Sequence, residues 1–113
     1  MAAMASYAAR RNFMATYIAL TTFTDQGIRN VKDTTKRADA VREMAKKYGV
    51  SVKDIFWTLG QYDVVAIFEA PDEISITALG LALGAAGNVR TQTLRAFAQE
   101  EMNKVLGKMA KVK

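Results

Sequence analysis

The residues with the most chemical potential lie in one short polar segment that precedes an apolar stretch. Gly60, Tyr62 and Asp63 stand within four positions, and an apolar run begins directly at Val64. A carboxylate or a phenol in an apolar cavity can act as an acid or a base, because burial raises the pKa of a carboxyl group. The same groups can instead hydrogen-bond a ligand, or the backbone of the turn itself. The segment is therefore a candidate for catalysis, for binding or for a structural turn.

Three further residues could join this segment to form a pocket. Thr58 lies just before Gly60, Trp57 is the single tryptophan of the chain, and Tyr17 lies in an earlier apolar stretch. The predicted ligand-binding set is Tyr17, Trp57, Thr58, Tyr62 and Asp63. Gly60 is predicted to serve the backbone conformation of the turn. For Trp57 the first expectation is packing in the core or in a subunit interface, and stacking on a ligand is the alternative.

The composition excludes several kinds of chemistry, because the 113 residues include no histidine and no cysteine. Histidine is the commonest general base, and cysteine supplies thiolate nucleophiles, disulfides and metal ligands. Any catalysis must therefore use carboxylates, tyrosines, lysines or hydroxyl groups. Carboxylate pairs such as Asp72-Glu73 begin predicted helices, where the helix dipole favours acids. We expect no metal and no cofactor, and we assign no residue a catalytic role.

The net charge of +5 is spread rather than concentrated. Between Arg29 and Lys47 the basic residues alternate with acids, which is typical of a solvated helix face. Aromatic residues do not alternate with basic ones, as binding of single-stranded nucleic acid would require. The longest apolar run, residues 74–86, falls short of the roughly 20 residues of a membrane span. We expect no nucleic-acid partner, no membrane span and a cytoplasmic location.

Four segments have the composition of strands. Residues 15–23 and 51–58 are rich in β-branched and aromatic side chains, residues 89–97 alternate, and an apolar strand starts at Val64 and ends before Pro71. Residues 51–58 and the strand that starts at Val64 flank the polar segment, and this arrangement predicts a β-hairpin. Arg90 and Arg95 fall on opposite faces of the last strand. Whichever points into the sheet needs an anionic partner, for which Asp63 or Glu69 is predicted.

Three segments have helical spacing of apolar residues. The first helix is predicted from Thr24 as N-cap to a stop at Gly49, and the second from Asp72 to about residue 86. Within the second, Gly80 and Gly84 are predicted to permit close approach of another element. The third helix is predicted over residues 99–111. Its inward-facing residues are predicted to be Met102, Val105, Leu106 and Met109.

The order β-α-β-β-α-β, followed by a C-terminal helix, predicts an α+β protein of the ferredoxin-like split βαβ type. In that fold a four-stranded antiparallel sheet carries two helices on one face. The strand from Val64 to Phe68 is apolar on both sides, as is the first strand. Strands of this kind are usually covered on both faces. We therefore predict a homodimer, or a larger homo-oligomer, packed sheet to sheet.

The chain resembles the GYD-domain family, which is named for a Gly-Tyr-Asp signature in this hairpin turn. The signature corresponds to Gly60, Tyr62 and Asp63, with Gln61 inserted, and the resemblance spans about residues 14–97. It implies a dimeric α/β-barrel-like, ferredoxin-like fold without a settled biochemical role. The turn and strand are also similar to the effector-binding domain of leucine-responsive transcription regulators, although this chain lacks their helix-turn-helix. Small cofactor-independent monooxygenases share the fold, which is analogy and not evidence of activity.

The leading hypothesis is a small homo-oligomeric, non-catalytic module. It would bind a small molecule at a sheet-face or dimer-interface pocket, or serve in assembly or regulation. The alternative is a cofactor-independent oxygenase or isomerase that uses Asp63 or Tyr62 in an apolar cavity. Residues 1–13 are predicted to be a flexible N-terminal extension, and residues 14–113 a single GYD-like ferredoxin-fold domain.

Overall fold

The structure, a computed structural model, describes residues 14–109 of the chain. The strands are β1 (Ala15–Phe23), β2 (Ser51–Trp57), β3 (Val64–Ala70) and β4 (Val89–Ala96). The helices are α1 (Asp25–Arg29), α2 (Thr34–Lys47), α3 (Glu73–Ala85) and α4 (Gln99–Met109), with a short 3-10 helix, Val31–Asp33, between α1 and α2. The predicted extension at residues 1–13 lies outside the described residues, as does the predicted end of the last helix.

The four strands form one antiparallel sheet in the order β2-β3-β1-β4. β1 lies in the interior, where Ala19 is paired with Ala66 of β3 and with Thr93 of β4. The register of β2 against β3 shifts between Val52 and Asp54, which marks a bulge on that edge strand. This strand order, reached through two crossover helices, is the split βαβ arrangement. The predicted α+β, ferredoxin-like fold is confirmed.

The helix predicted between Thr24 and Gly49 is interrupted, so this part of the prediction is wrong. Thr24 caps α1 as expected, because its hydroxyl oxygen accepts a hydrogen bond from the Gly27 N–H at 3.1 Å. α1 then ends before Asn30, whose backbone leaves helical geometry at φ −106° and ψ 28°. The Asn30 side chain donates to the carbonyl oxygen of Gln26 at 2.9 Å and so occupies one of the last acceptors of α1. The chain makes a 3-10 turn before α2 begins.

The buried core lies between the sheet and the helices α2 and α3. Leu79 of α3 is the largest fully buried side chain within the described part of the chain, and Phe68 of β3 is 4% exposed. The core residues are Tyr17, Ala19, Ala45, Val50, Ala66, Phe68, Ala70, Ile76 and Leu79. Because four of these nine are alanines, the layer between sheet and helices is not filled everywhere by large side chains.

α4 does not pack inward, and the prediction for its apolar residues is wrong. The exposed fractions are 44, 39, 48 and 64% for Met102, Val105, Leu106 and Met109. α4 follows β4, an edge strand, and it is held there by the Arg95–Glu101 ion pair at 2.8 Å. The Ala98 N–H also donates to Glu101 at 3.2 Å, which caps the first turn. Within residues 14–109, none of the helices is long and apolar enough to cross a membrane.

Candidate functional site

A cavity opens between the helix-covered face of the sheet and the helices α2 and α3. Its volume is about 90 Å³, and residues of all four strands and of both helices line it. A cavity of roughly 10–15 Å³ already holds one buried water. The cavity can therefore hold several waters or one small organic molecule.

Small residues face each other across the cavity and explain the open space. Ala19 and Ala66 are neighbours in the sheet, and Ala38 of α2 and Gly80 of α3 line the helix side. A methyl group built on Gly80 or on Gly84 would meet no atom of the described residues within 4 Å. The prediction that these glycines permit close approach of another element is therefore not met within the described part of the chain. At Gly80 the missing side chain leaves cavity space instead.

Two hydrogen bonds satisfy polar groups in the cavity wall. The indole N–H of Trp57 donates to the hydroxyl oxygen of Thr34 at 2.9 Å and so ties the end of β2 to the start of α2. The hydroxyl oxygens of Thr21 and Thr91 lie 3.2 Å apart and link β1 to β4. A tryptophan in such a wall presents a large apolar ring while its N–H is engaged elsewhere. The wall is therefore apolar over most of its area.

Arg37 of α2 is the charged residue among those of the described chain that line the cavity. Its guanidinium donates to the carbonyl oxygen of Asn30 at 2.6 Å and to that of Gly27 at 3.1 Å. These carbonyls lie at the end of α1, where a cation is favourable. The guanidinium carbon also lies 5.8 Å from the centre of the Phe23 ring. None of the ion pairs among residues 14–109 involves Arg37, so this side of the cavity is positively charged.

Asp63 organises the turn between β2 and β3. Its carboxylate accepts a hydrogen bond from the Phe23 N–H at 2.9 Å. Its own N–H donates to the carbonyl oxygen of Thr21 at 2.8 Å, and its carbonyl oxygen accepts from the Thr58 N–H at 2.9 Å. Asp63 thereby joins the start of β3 to the ends of β1 and β2. Gly60 in the same turn has φ of 102°, a region that other residues rarely adopt.

Tyr62 reaches toward the sheet face that α2 and α3 leave uncovered. Its hydroxyl group bonds the side-chain oxygen of Gln92 at 3.2 Å. Gln92 is paired with Leu20 of β1, so the side chains of Gln92 and Leu20 lie on the same, uncovered face of the sheet. The carbonyl oxygen of Tyr62 accepts from the hydroxyl group of Thr58 at 2.6 Å, within the turn. Tyr62 therefore connects the turn to β4 across β1.

The five predicted ligand-binding residues lie in three places and do not line one cavity. Trp57 lines the cavity and is 45% exposed. Tyr17 is buried in the core and does not line it. Burial raises the pKa of the Tyr17 hydroxyl group, and the nearby carboxylate of Glu73 adds to this shift. Thr58, Tyr62 and Asp63 stay together in the hairpin turn, linked by the hydrogen bonds given above.

The arginines of β4 lie on opposite faces, as predicted, but the predicted anionic partner is wrong. Arg95, on the helix-covered face beside Tyr17, pairs with Glu101 of α4 at 2.8 Å. Asp63 is engaged by the end of β1, and Glu69 lies 3.6 Å from the ammonium group of Lys53. Each predicted partner thus has a nearer contact.

Sequence reasoning missed the cavity and the place of Arg37 in it. Arg37 stands in a run of alternating charges, which is typical of a solvated helix face. A usable signal was the pattern of β4, where Thr91 and Thr93 share a face with Ala19 of β1. Small side chains on the helix-covered face predict incomplete filling, but the depth of the space depends on how α2 and α3 sit above it.

The fold and the hairpin turn define the class of this protein: an α+β domain with a four-stranded antiparallel sheet and a Gly-Tyr-Asp turn between β2 and β3. The model of the GYD domain family matches residues 17–106. The chain belongs to this family, which confirms the resemblance found in the sequence. It is also similar to a protein of Thermus thermophilus described as "Glutamine synthetase and cystathionine beta-lyase binding protein". The two are 36% identical over 85 residues, which is 74% of this chain and 90% of the relative.

Proposed function

We propose that this chain is a non-catalytic module that binds another protein. Two copies pack through the open face of the sheet, and the assembly binds its partner through α4. The observation that carries the proposal is an apolar surface that α2 and α3 leave uncovered. The description of the Thermus thermophilus relative as a binding protein for two enzymes supports the same kind of role here.

The open face of the sheet is apolar at its centre. Ile18 and Leu20 of β1 lie beside Ile67 and Val65 of β3, and all four are only half-buried. At the edges of this face, Phe56 is 51% exposed and Leu94 is 39% exposed. Contiguous apolar surface of this kind marks an interaction site. We define this surface as the open face, with the six members Ile18, Leu20, Phe56, Val65, Ile67 and Leu94.

A second copy of the chain is the occupant that fits the open face best. Sheets pack face to face at about 10 Å when both inner faces are apolar, and a two-fold axis supplies two identical faces. Charged residues lie at both ends of this face. Glu69, which is paired with Lys53, lies opposite Thr16 at one end of β1, and Arg90 lies opposite Thr22 at the other. An antiparallel packing of the two sheets would bring Arg90 of one copy toward Glu69 of the other.

α4 supplies a second apolar surface, suited to a different protein. Its exposed apolar residues recur at the spacing of one helix face, namely Met102, Val105, Leu106 and Met109. Amphipathic helices of this kind bind in hydrophobic grooves of partner proteins. We infer that α4 presents this apolar stripe to the partner, while the Arg95–Glu101 ion pair sets its direction.

The oxygenase or isomerase alternative requires Asp63 or Tyr62 inside an apolar cavity. Neither residue is among those that line the cavity between the sheet and the helices. The carboxylate of Asp63 is hydrogen-bonded to the Phe23 N–H, and the hydroxyl of Tyr62 to Gln92. These contacts favour binding without catalysis.

A direct binding measurement tests the partner part of the proposal. The purified chain is immobilised, and glutamine synthetase and cystathionine β-lyase from the same host are passed over it separately. We expect at least one enzyme to bind with a dissociation constant in the micromolar range or below. The variant Leu106→Glu should weaken that binding by about tenfold or more, because it places a charge in an apolar contact.

Gly107→Glu is the matched control, since it adds the same charge to α4 on the side away from the apolar stripe, where an added side chain meets open space. This variant should bind as the unmodified chain does. Absence of binding to both enzymes would contradict the assignment of these partners to this chain. Equal loss of binding in the two variants would contradict the role of the apolar stripe.

A further inference from the structure

We propose that the cavity between the sheet and the helices α2 and α3 binds a small apolar carboxylate, with Arg37 holding the carboxylate group. This site lies on the opposite side of the sheet from the open face. It does not depend on self-association or on a protein partner. Its two determinants are the apolar walls and one cation, the Arg37 guanidinium, that forms no ion pair with an acid among residues 14–109.

The walls determine the size and character of the ligand body. Trp57 and Ile55 of β2 and Leu79 and Leu83 of α3 are among the residues that line the cavity. Burial of an alkyl chain against such residues is favourable by about 0.8 kcal/mol per methylene group. With about 90 Å³ available, an acid of roughly four to six carbon atoms fits the space.

Arg37 determines the polar end of the ligand. A guanidinium group has five N–H donors, and the two contacts of Arg37 go to neutral carbonyl oxygens, those of Asn30 and Gly27. These contacts fix the side chain without neutralising its charge. A carboxylate could complete the site with charge-assisted hydrogen bonds, which are stronger than bonds between neutral groups.

The combination of apolar walls and one cation favours a ligand with an anionic head and an apolar body over simpler occupants. A neutral hydrocarbon would bury against the walls but would leave the cation of Arg37 without a counter-charge. Inorganic phosphate would pair with the cation but would lose its hydration against apolar walls. An anionic head on a short apolar body satisfies both parts of the cavity at once.

Trp57 provides the readout, because it is the single tryptophan of the chain and lines the cavity. The full chain is titrated with 3-methylbutanoate and, separately, with its neutral isostere 3-methylbutanamide, while Trp57 fluorescence is recorded. Both compounds present the same apolar body, so their difference reports the carboxylate. We expect saturable binding of the acid, about tenfold tighter than binding of the amide. Absence of saturable binding of the acid at millimolar concentrations would overturn the proposal.

Two variants test separately the charge of Arg37 and the open volume of the cavity beside Gly80. Arg37→Gln should bring the affinity for the acid down to that for the amide. Gly80→Leu should abolish binding of both compounds, because the new side chain enters the open space beside Gly80. Ala86→Leu introduces the same side chain at the exposed C-terminal end of α3, at a residue that does not line the cavity. This control should bind the acid as the unmodified chain does.

A measurement on the unmodified chain keeps the test independent of how the variants fold. Methyl resonances of Ile55, Leu79 and Leu83 should shift on addition of 3-methylbutanoate, since these residues line the cavity. Methyl resonances of Ile18 and Ile67 on the open face should stay unchanged. Shifts confined to the open face would overturn the location. Equal affinity for the acid and the amide would overturn the role of Arg37.

Discussion

Asp63 connects three strands through its side chain and both of its backbone polar groups. The carboxylate binds the Phe23 N–H at the end of β1, the Asp63 N–H binds Thr21, and the Asp63 carbonyl oxygen binds Thr58. A carboxylate that accepts a backbone N–H forms a charge-assisted hydrogen bond. The side-chain contact with Phe23 alone accounts for an acid at this position of the turn.

Removal of the Asp63 carboxylate should destabilise the fold. We expect Asp63→Ala to lower the free energy of unfolding by about 1–3 kcal/mol, because the Phe23 N–H loses its partner. Asp63→Asn keeps an acceptor oxygen and should lose less. The measurement is urea denaturation followed by circular dichroism, with Asp39→Ala on the exposed side of α2 as the control. If Asp63→Ala is as stable as the control, the structural role given to Asp63 is wrong.

At the scale of single helices, an alanine substitution is expected to have opposite effects on stability at Gly84 of α3 and at Gly27 of α1. A methyl group at Gly84 would meet no atom within 4 Å, whereas one at Gly27 would clash with the carbonyl oxygen of Asn88. Gly84→Ala should stabilise α3 by about 0.5–1 kcal/mol, because glycine is a poor helix former. Gly27→Ala should destabilise the protein, because backbone has to move. Thermal unfolding of the two variants tests this, and a lower midpoint for Gly84→Ala would contradict the open space beside it.

The attachment of α4 should depend on pH. The hydrogen bond from Arg95, together with that from the Ala98 N–H, lowers the pKa of Glu101 from its ordinary value of 4.5. A lowered pKa means that the contribution to stability is present above 4.5 and is lost as pH falls through the folded-state value. We therefore expect α4 to lose its amide hydrogen-exchange protection in acid before the sheet does.

Glu101→Gln is the matching control for this pH dependence. It removes the titrating group, so the protection of α4 should be weaker at neutral pH and should not change with pH through the same window. Protection of α4 that is independent of pH in the unmodified chain would show that the Arg95–Glu101 contact does not hold the helix.

The strands could be predicted from the sequence, because their residue types specify them locally. The end of α1, the exposure of α4 and the cavity could not, because they depend on contacts between separate elements. β-branched and aromatic residues specify β1 locally, so its predicted range, 15–23, agrees with the structure. The end of α1 at Asn30 involves contacts with Arg37, a residue of the next helix that donates to the carbonyl oxygens of Gly27 and Asn30. The pattern of α4 shows which side is apolar, but not whether anything in the chain covers it. The cavity depends on the height of α2 and α3 above Ala19 and Ala66, which no local pattern encodes.

At the scale of the whole fold, the described residues 14–109 form a thin slab with one side open. Its radius of gyration is 16.5 Å and its extents are 52 × 43 × 20 Å. A compact chain of about 100 residues has a radius of gyration of about 13 Å, so the described chain is less compact than a typical domain of this size. One layer of helices covers one face of the sheet, and α4 extends from its edge. Domains usually bury both faces of an apolar sheet, which favours a third layer from a second copy.

A charge on the open face should separate the copies. Ile67 lies near the centre of that face, between Ile18 and Asp54 in the sheet. Ile67→Glu would bury an unpaired carboxylate in the proposed interface, which costs several kcal/mol. We expect the dissociation constant of the dimer to rise by about 100-fold or more. Thr35→Glu, on the exposed side of α2, is the control and should leave association unchanged.

The mass of the unmodified chain in solution tests the proposed assembly most directly. Sedimentation equilibrium of the full chain should give twice the 12.4 kDa of one copy, or a larger even multiple, at micromolar concentration. Ile67→Glu should shift the distribution toward a single copy under the same conditions. A chain that sediments at 12.4 kDa throughout the concentration range would contradict the two-copy assembly and the use proposed for the open face.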